Sequence, residues 1–446
     1  MKSDMVVTDV SEINVAQRVR FDRLKFASKG GSFRYFLLRL ILSIFVCSAA
    51  SLPAGADQTA STPLAMTRAQ AYAEAKALAA IGARLFRDPR LSGSRQIACT
   101  TCHDPTHAFA PANKLAVQLG GSDLHRPGLR AVPSLRYLQA VPQFSEHFFD
   151  SEDEADESVD NGPTGGLTWD GRVDSKAAQA EIPLLSDFEM GNRTADDVVD
   201  TATQAGYVTE LAGILGGDIR RDRQAAFNGI LAALQAYQED PVIFFPYGSK
   251  YDAYLAGKAQ LTDQEQRGLS AFTDEAKGNC ASCHIAARAR DGTAPQFTDY
   301  GLIAIGVPRN KAIPADADPA YFDLGLCGPL RTDFKTDPDY CGMFRTPSLR
   351  NVATRHVFFH NGVIHSLHDA VAFYATRDSD PGRWYPRRAD GSVNKFDDLP
   401  AAYRANLNSD PPFDNVPPVR ARLSATEIDD IVAFLGTLTD GYRPVP

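Results

Sequence analysis

Cys99-Thr100-Thr101-Cys102-His103, with its second copy Cys280-Ala281-Ser282-Cys283-His284, decides how this 446-residue chain is read. C-x-x-C-H is the attachment signature of c-type haem. Two thiols add to the two vinyl groups of one porphyrin, and the histidine that follows ligates the iron from one face. A lone copy also suits a zinc half-site or a redox dithiol. A zinc site wants a second Cys/His pair about 12–20 residues on, and neither copy has one. Two copies, each followed by histidine, point to two covalently bound haem c groups, with His103 and His284 as proximal ligands.

Outward from each motif the chain repeats one plan. Residues 66–87 are Ala-rich at helical spacing and carry Gly82, Leu85 and Phe86. In the second half Thr262 and Glu265 form a capping box, followed by Gly268, Leu269 and Phe272. Each half closes on a helix. The first covers 225–237; the second is capped by Ser424 and Glu427 and bears Ile428, Ile431, Leu435 and Leu438. Helix, C-x-x-C-H, loops and closing helix is the plan of a small cytochrome c. Strand alternation is scarce, so the predicted fold is all-α: two cytochrome c-like domains with long loops. The expected boundaries are 57–245 and 246–446, joined near 241–258, after an N-terminal extension and signal peptide over 1–56.

The signal reading rests on Arg34 and Arg39 as the positive flank, an apolar core over 40–50 and a small-residue cleavage site at Ala54-Gly55-Ala56. The apolar run is too short for the roughly 20 residues of a membrane span. Export suits c-type haem, whose attachment is completed outside the cytoplasm. The chain's net charge is −9, and the leader to Ala56 carries +4, which leaves −13 for the remainder. That balance disfavours nucleic acid or an anionic membrane as partner. Beyond the four motif cysteines, the exported part retains Cys327 and Cys341, and in an oxidising compartment a disulfide is expected.

Between the motifs lie further informative stretches. Thr168-Trp169-Asp170-Gly171-Arg172 holds one of only two tryptophans, a residue that serves as core or as a relay between cofactors. Glu189-Met190 follows. Residues 150–160 hold seven acidic residues, a solvated loop or a docking site for a basic partner. In the second half come Phe344-Arg345-Thr346-Pro347-Ser348-Leu349-Arg350-Asn351-Val352, then Phe358-Phe359-His360-Asn361-Gly362, then a helical segment ending at Tyr374.

Taken in this order, the motifs resemble the bacterial dihaem cytochrome c peroxidases and the related MauG enzymes, over about residues 80–440. The resemblance implies a periplasmic, H2O2-dependent enzyme with its haems on facing sides of the two domains. The peroxide-reactive haem belongs to the first domain and the electron-relay haem to the second. It implies a tryptophan between them, which falls on Trp169, and a distal carboxylate twenty residues further, at Glu189. It makes His360, of the F-H-x-G motif, a cofactor-site residue. The peroxidases place a Met ligand fourteen residues after that histidine; here the position is Tyr374, as in MauG. A soft thioether favours Fe(II), whereas a hard phenolate favours Fe(III) and Fe(IV). Met343 is the rival ligand.

Two departures accompany this. The stretch 118–122, where the peroxidases carry a distal histidine, has none; His107 and His125 are the nearest. The family's calcium site between domains uses an Asn side chain where this chain has Ala131, although carbonyls near Arg355 and Val357 are still candidate Ca2+ ligands. The segment 375–386, with Trp384, is similar to the MauG relative MbnH, which oxidises a tryptophan of a partner protein. The function this implies is peroxide-driven formation of a bis-Fe(IV)-type state that oxidises an aromatic residue of a docked protein. The alternatives are a cytochrome c peroxidase drawing electrons from a small redox protein, and a plain electron carrier.

Overall fold

The computed structural model describes residues 66–147, 162–413 and 419–443. The signal segment and the acidic run at 150–160 lie outside the described residues. Helices dominate: α1 (Arg68–Leu85), α2 (Cys99–Cys102), α3 (Lys176–Leu185), α4 (Ala195–Gln204), α5 (Tyr207–Leu215), α6 (Arg223–Gln238), α7 (Pro241–Phe244), α8 (Lys250–Leu255), α9 (Asp263–Thr273), α10 (Pro314–Ala317), α11 (Leu367–Thr376) and α12 (Ala425–Gly436). Strands are vestigial. β1 (Leu119–Gly120) pairs antiparallel with β2 (Arg126–Pro127), and β3 (Leu302–Ile303) with β4 (Phe344–Arg345). No helix among the described residues is long and apolar enough to cross a membrane.

The helix starts follow from side chains that accept the amides a helix leaves unpaired. Thr262 Oγ1 accepts from Glu265 N at 3.3 Å while Glu265 Oε2 accepts from Thr262 N at 2.7 Å, so α9 opens on the expected capping box. Ser424 and Glu427 do the same for α12. Apolar side chains gather into two clusters. One draws on residues between Ile81 and Phe244, including Leu85, Phe86, Phe109 and Phe227. The other draws on residues between Tyr251 and Leu438, including Phe272, Phe297, Phe358 and Phe434.

In each cluster the helix before C-x-x-C-H crosses the closing helix at a glycine. A Cβ on Gly82 would lie 1.9 Å from the carbonyl oxygen of Ala233 in α6, and one on Gly268 1.9 Å from that of Asp430 in α12. No side chain fits between backbones that close. Gly268→Ala is therefore expected to destabilise the protein by about 3 kcal/mol, the upper end of overpacking costs. That outweighs the roughly 1 kcal/mol that alanine gains over glycine as a helix former. The urea midpoint of the holoprotein reads the effect. Gly436→Ala in α12, where a Cβ meets nothing within 4 Å, should leave it unchanged or raise it.

Among the described residues, those from Glu74 onward form one compact unit. Its two clusters are joined by polar links. Arg136 Nη1 and Tyr137 Oη donate to Asp440 at 2.8 and 2.6 Å, and Asn351 Nδ2 donates to the same carboxylate at 2.7 Å. Leu302 N donates to Pro163 O at 2.8 Å. Cys327 and Cys341 form a disulfide across 14 residues, as expected; a loop of this size is worth roughly 3 kcal/mol in the chain-entropy account.

Candidate haem sites

Each C-x-x-C-H folds into one turn that ends at its histidine, and each histidine is oriented in the same way. His103 Nδ1 lies 2.9 Å from Phe109 O and His284 Nδ1 lies 2.9 Å from Phe297 O. A carbonyl only accepts, so Nδ1 carries the proton and Nε2 is left with its lone pair, the tautomer that an iron ligand needs. Phe109 and Phe297 are themselves buried, with φ of +56° and +55°, a strained turn that aims the carbonyl inward. The same two carbonyls accept from Leu135 N and Leu349 N. The internal repeat extends to Ser134 and Ser348, whose hydroxyls bond Ala108 O and Gln296 O. Nothing in the spacing of the sequence marks Phe109 or Phe297 for this role. Their signal is the match between two copies of Pro-Ser-Leu-Arg, at 133–136 and 347–350.

Burial shifts the titrating groups of both motifs in the same way. Burial pushes His103 down to about 4, opposed by its bond to Phe109, and pushes His284 down as well, so both imidazoles are neutral at pH 7. Burial also pushes the thiols of Cys99, Cys102 and Cys280 up to about 12, and Cys283 to about 11. All four are free cysteines. The residues present fit two covalently held haems.

Glu189 stands over the first motif, and its charge acts on both Cys99 and Cys102. Its Oε2 is buried with no hydrogen-bond partner. Burial pushes its pKa up, opposed by the Ser186 hydroxyl and the Arg172 guanidinium. The loop that carries it is fixed on both sides. Glu189 N donates to Ser186 O at 3.1 Å, Gly121 N to Glu189 O at 2.8 Å, and Gly93 N to Met190 O at 2.8 Å. Gly120 packs on this loop so closely that a Cβ would fall 2.5 Å from the carbonyl oxygens of both Phe188 and Glu189. The stretch that lacks a distal histidine is thus the floor under the Glu189 loop. His125 is exposed, and His107 pairs with Asp104 at 3.5 Å.

Tyr374 belongs to the second motif. Burial pushes its phenol well above the usual range; the Cys283 and Cys280 thiols act in the same sense, and Arg377 against them. The ring stacks on Phe413 at 5.4 Å, and the buried Arg377 guanidinium lies over the other partner of that stack, 3.5 Å from the Phe413 ring centre. Met343 is beside the disulfide, its carbonyl taken by Leu326 N at 3.0 Å. Trp384 donates from Nε1 to Thr376 Oγ1 at 3.0 Å and packs edge-on against Phe373.

Trp169 and His360 meet at Ala131. Trp169 Nε1 donates to Ala131 O at 2.7 Å, and Ala131 N donates to His360 O at 2.7 Å. The Trp169 carbonyl accepts from Arg345 N at 2.8 Å. Asp170, fully buried, is held by Arg130 at 2.7 Å and Arg172 at 2.8 Å, and Arg130 also forks onto Asp323. His360 stacks flat on Phe344 at 3.6 Å. Its buried Nε2 has no partner and faces a cavity of about 20 Å³ shared with Asp323 and Asp398. His360 thus shares its surroundings with Trp169, Phe344 and these carboxylates.

A family model described as di-haem cytochrome c peroxidase matches residues 76–260. The chain belongs to that family, which includes MauG, and is a haem-dependent oxidoreductase of the peroxidase class. The methylamine utilization protein MauG of Paracoccus denitrificans is 32% identical over 404 residues, covering 86% of this chain and 94% of MauG. The cytochrome c551 peroxidase of Pseudomonas aeruginosa is 28% identical over 66% of this chain and 70% of its own. Among solved structures, the diheme peroxidase BthA from Burkholderia thailandensis is 40% identical, with a TM-score of 0.72 over 82% of this chain and 86% of BthA. A MauG-like protein associated with microbial copper homeostasis is 26% identical, with a TM-score of 0.54 over 82% of this chain and 90% of that one.

Proposed function

We propose that this protein is a periplasmic enzyme that uses hydrogen peroxide to oxidise an aromatic side chain, a tryptophan, of a partner protein. Residues 57–245 and 246–446 are its two cytochrome c-like domains, with their covalently held haems on facing sides. The observation that carries the reading is Tyr374 beside Cys280 and Cys283, in the register where a peroxidase has methionine. Bound haem supplies the redox centres that take up the two oxidising equivalents of peroxide. His103 and His284, whose Nδ1 atoms bond Phe109 O and Phe297 O, would hold the two irons through Nε2. Glu189, the buried carboxylate near the first motif, would take a proton from peroxide and return it to the departing oxygen, the general acid–base role that heterolytic O–O cleavage needs. Trp169 would serve as the relay between the two sites, and the phenol of Tyr374 would supply a hard oxygen donor of the kind that favours the higher oxidation states of iron. Similarity to MauG over nearly its whole length supports a protein substrate.

A second reading draws support from the similarity to cytochrome c551 peroxidase: peroxide reduced at the expense of a small redox protein. The electron-carrier reading is disfavoured by the buried carboxylate of Glu189 near the first motif, whose Oε2 has no hydrogen-bond partner. Mass spectrometry of the products of neighbouring genes, after incubation with holoenzyme and peroxide, distinguishes them. The proposal expects a peroxide-dependent mass change on a tryptophan or tyrosine of one of them. No change, with steady oxidation of a reduced small cytochrome, would support the peroxidase instead.

A further inference from the structure

The calcium that the family resemblance implies does not fit this chain, and the reason is a built-in cation. Ca2+ takes 6–8 oxygen ligands at about 2.3–2.6 Å. At the position of the expected Asn ligand stands Ala131, which has no side-chain oxygen; its carbonyl accepts from Trp169 Nε1 and its amide donates to His360 O. The neighbouring carbonyls are also taken. Arg355 Nη2 donates to Val132 O at 3.1 Å and Arg355 Nε donates to Val357 O at 3.3 Å. Among the described residues, no group of three His, Cys, Asp or Glu side chains stands ready to hold a metal.

The guanidinium is unlike most buried arginines of this protein. Arg130, Arg350 and Arg377 each face a carboxylate, of Asp323, Asp252 and Asp378. Arg355 has carbonyl partners and no carboxylate among the described residues. The segment that carries it lies against the first haem motif: the rings of His356, the next residue, and His107, four residues after His103, are 6.1 Å apart. A guanidinium and a calcium ion share the chemistry that matters here: each is a cation that carbonyl oxygens solvate, and each joins segments distant in sequence. The guanidinium differs in being tethered to the chain and in carrying one charge.

We propose that Arg355 replaces the interdomain calcium, joining residue 132 to residue 357 and supplying fixed positive charge beside the His103-held haem without a bound metal. Arg355 is on this account a positioning residue. The unmodified holoprotein, dialysed against a calcium chelator and then titrated with Ca2+ alone, should show no heat of binding and an unchanged melting temperature and haem spectrum. One tightly held calcium per chain, whose removal alters the spectrum or the melting temperature, would overturn the proposal. Arg355→Ala should lower the midpoint potential of the His103-held haem, because loss of a nearby positive charge favours the ferric state, and Arg355→Lys should largely restore it. Potentials equal in all three proteins would also overturn it. If Arg355→Ala fails to fold, the calcium titration of the unmodified holoprotein and the potential of Arg355→Lys against Arg355→Gln decide.

Discussion

Glu189→Gln is expected to slow the reaction of the holoprotein with peroxide by about 10²–10⁴-fold, the usual contribution of a general acid–base group, while both haems remain bound. Glutamine has the shape of glutamate and keeps the loop bonds, which run through the backbone of Ser186, Gly121 and Gly93. It cannot take a proton from one peroxide oxygen and return it to the other. The pH profile gives a second readout. Burial raises the pKa of Glu189, and the carboxylate must be ionised to act as base. The rate should therefore fall as pH drops through a value above the ordinary carboxylate range, and that limb should disappear in Glu189→Gln. Stopped-flow absorbance in the Soret region follows both. Unchanged peroxide kinetics in the variant would remove Glu189 from the reaction.

Tyr374→Met carries the second large effect. A phenolate neutralises charge on oxidised iron and disfavours the ferrous state, whereas a thioether does the opposite. Axial ligation spans about 0.8 V in haem proteins, so the substitution should raise the second haem's potential by on the order of several tenths of a volt. Methionine has a suitable volume for the slot against Phe413 and Phe359, so folding is expected to survive. The first site, with His103 and Glu189 unaltered, should still react with peroxide, and oxidation of the protein substrate should be lost. Spectroelectrochemical titration checks the potential.

Much of the architecture was legible because chemistry fixes spacing. C-x-x-C-H, the capping boxes Thr262/Glu265 and Ser424/Glu427 and the pairing of Cys327 with Cys341 depend on local geometry and are visible as local pattern. The crossing glycines show why periodicity alone is not enough: Gly82 and Gly268 are read as part of an apolar face, and only the structure reveals that each admits a backbone from over 150 residues away. The placement of Glu189 and Tyr374 came from register within a resemblance, since neither a lone Glu nor a lone Tyr announces a role. What stayed hidden depends on carbonyls and on long-range packing. The carbonyls of Phe109 and Phe297 act through the backbone, to which residue type is blind. Arg355 reads as one more charged residue until Val132 and Val357 are seen on it. The packing of His360 on Phe344, with Asp323 and Asp398 nearby, is likewise decided by chain segments that its motif does not include.

The central claim is that Tyr374 is the second protein ligand of the His284-held haem. It is tested most directly by electron paramagnetic resonance of the ferric holoprotein beside its Tyr374→Phe and Met343→Leu variants. Met343→Leu is expected to leave the second haem's signal unchanged, and Tyr374→Phe to convert it to an open, high-spin site. A signal that opens in Met343→Leu and persists in Tyr374→Phe would contradict it and make the cytochrome c peroxidase reading the better one.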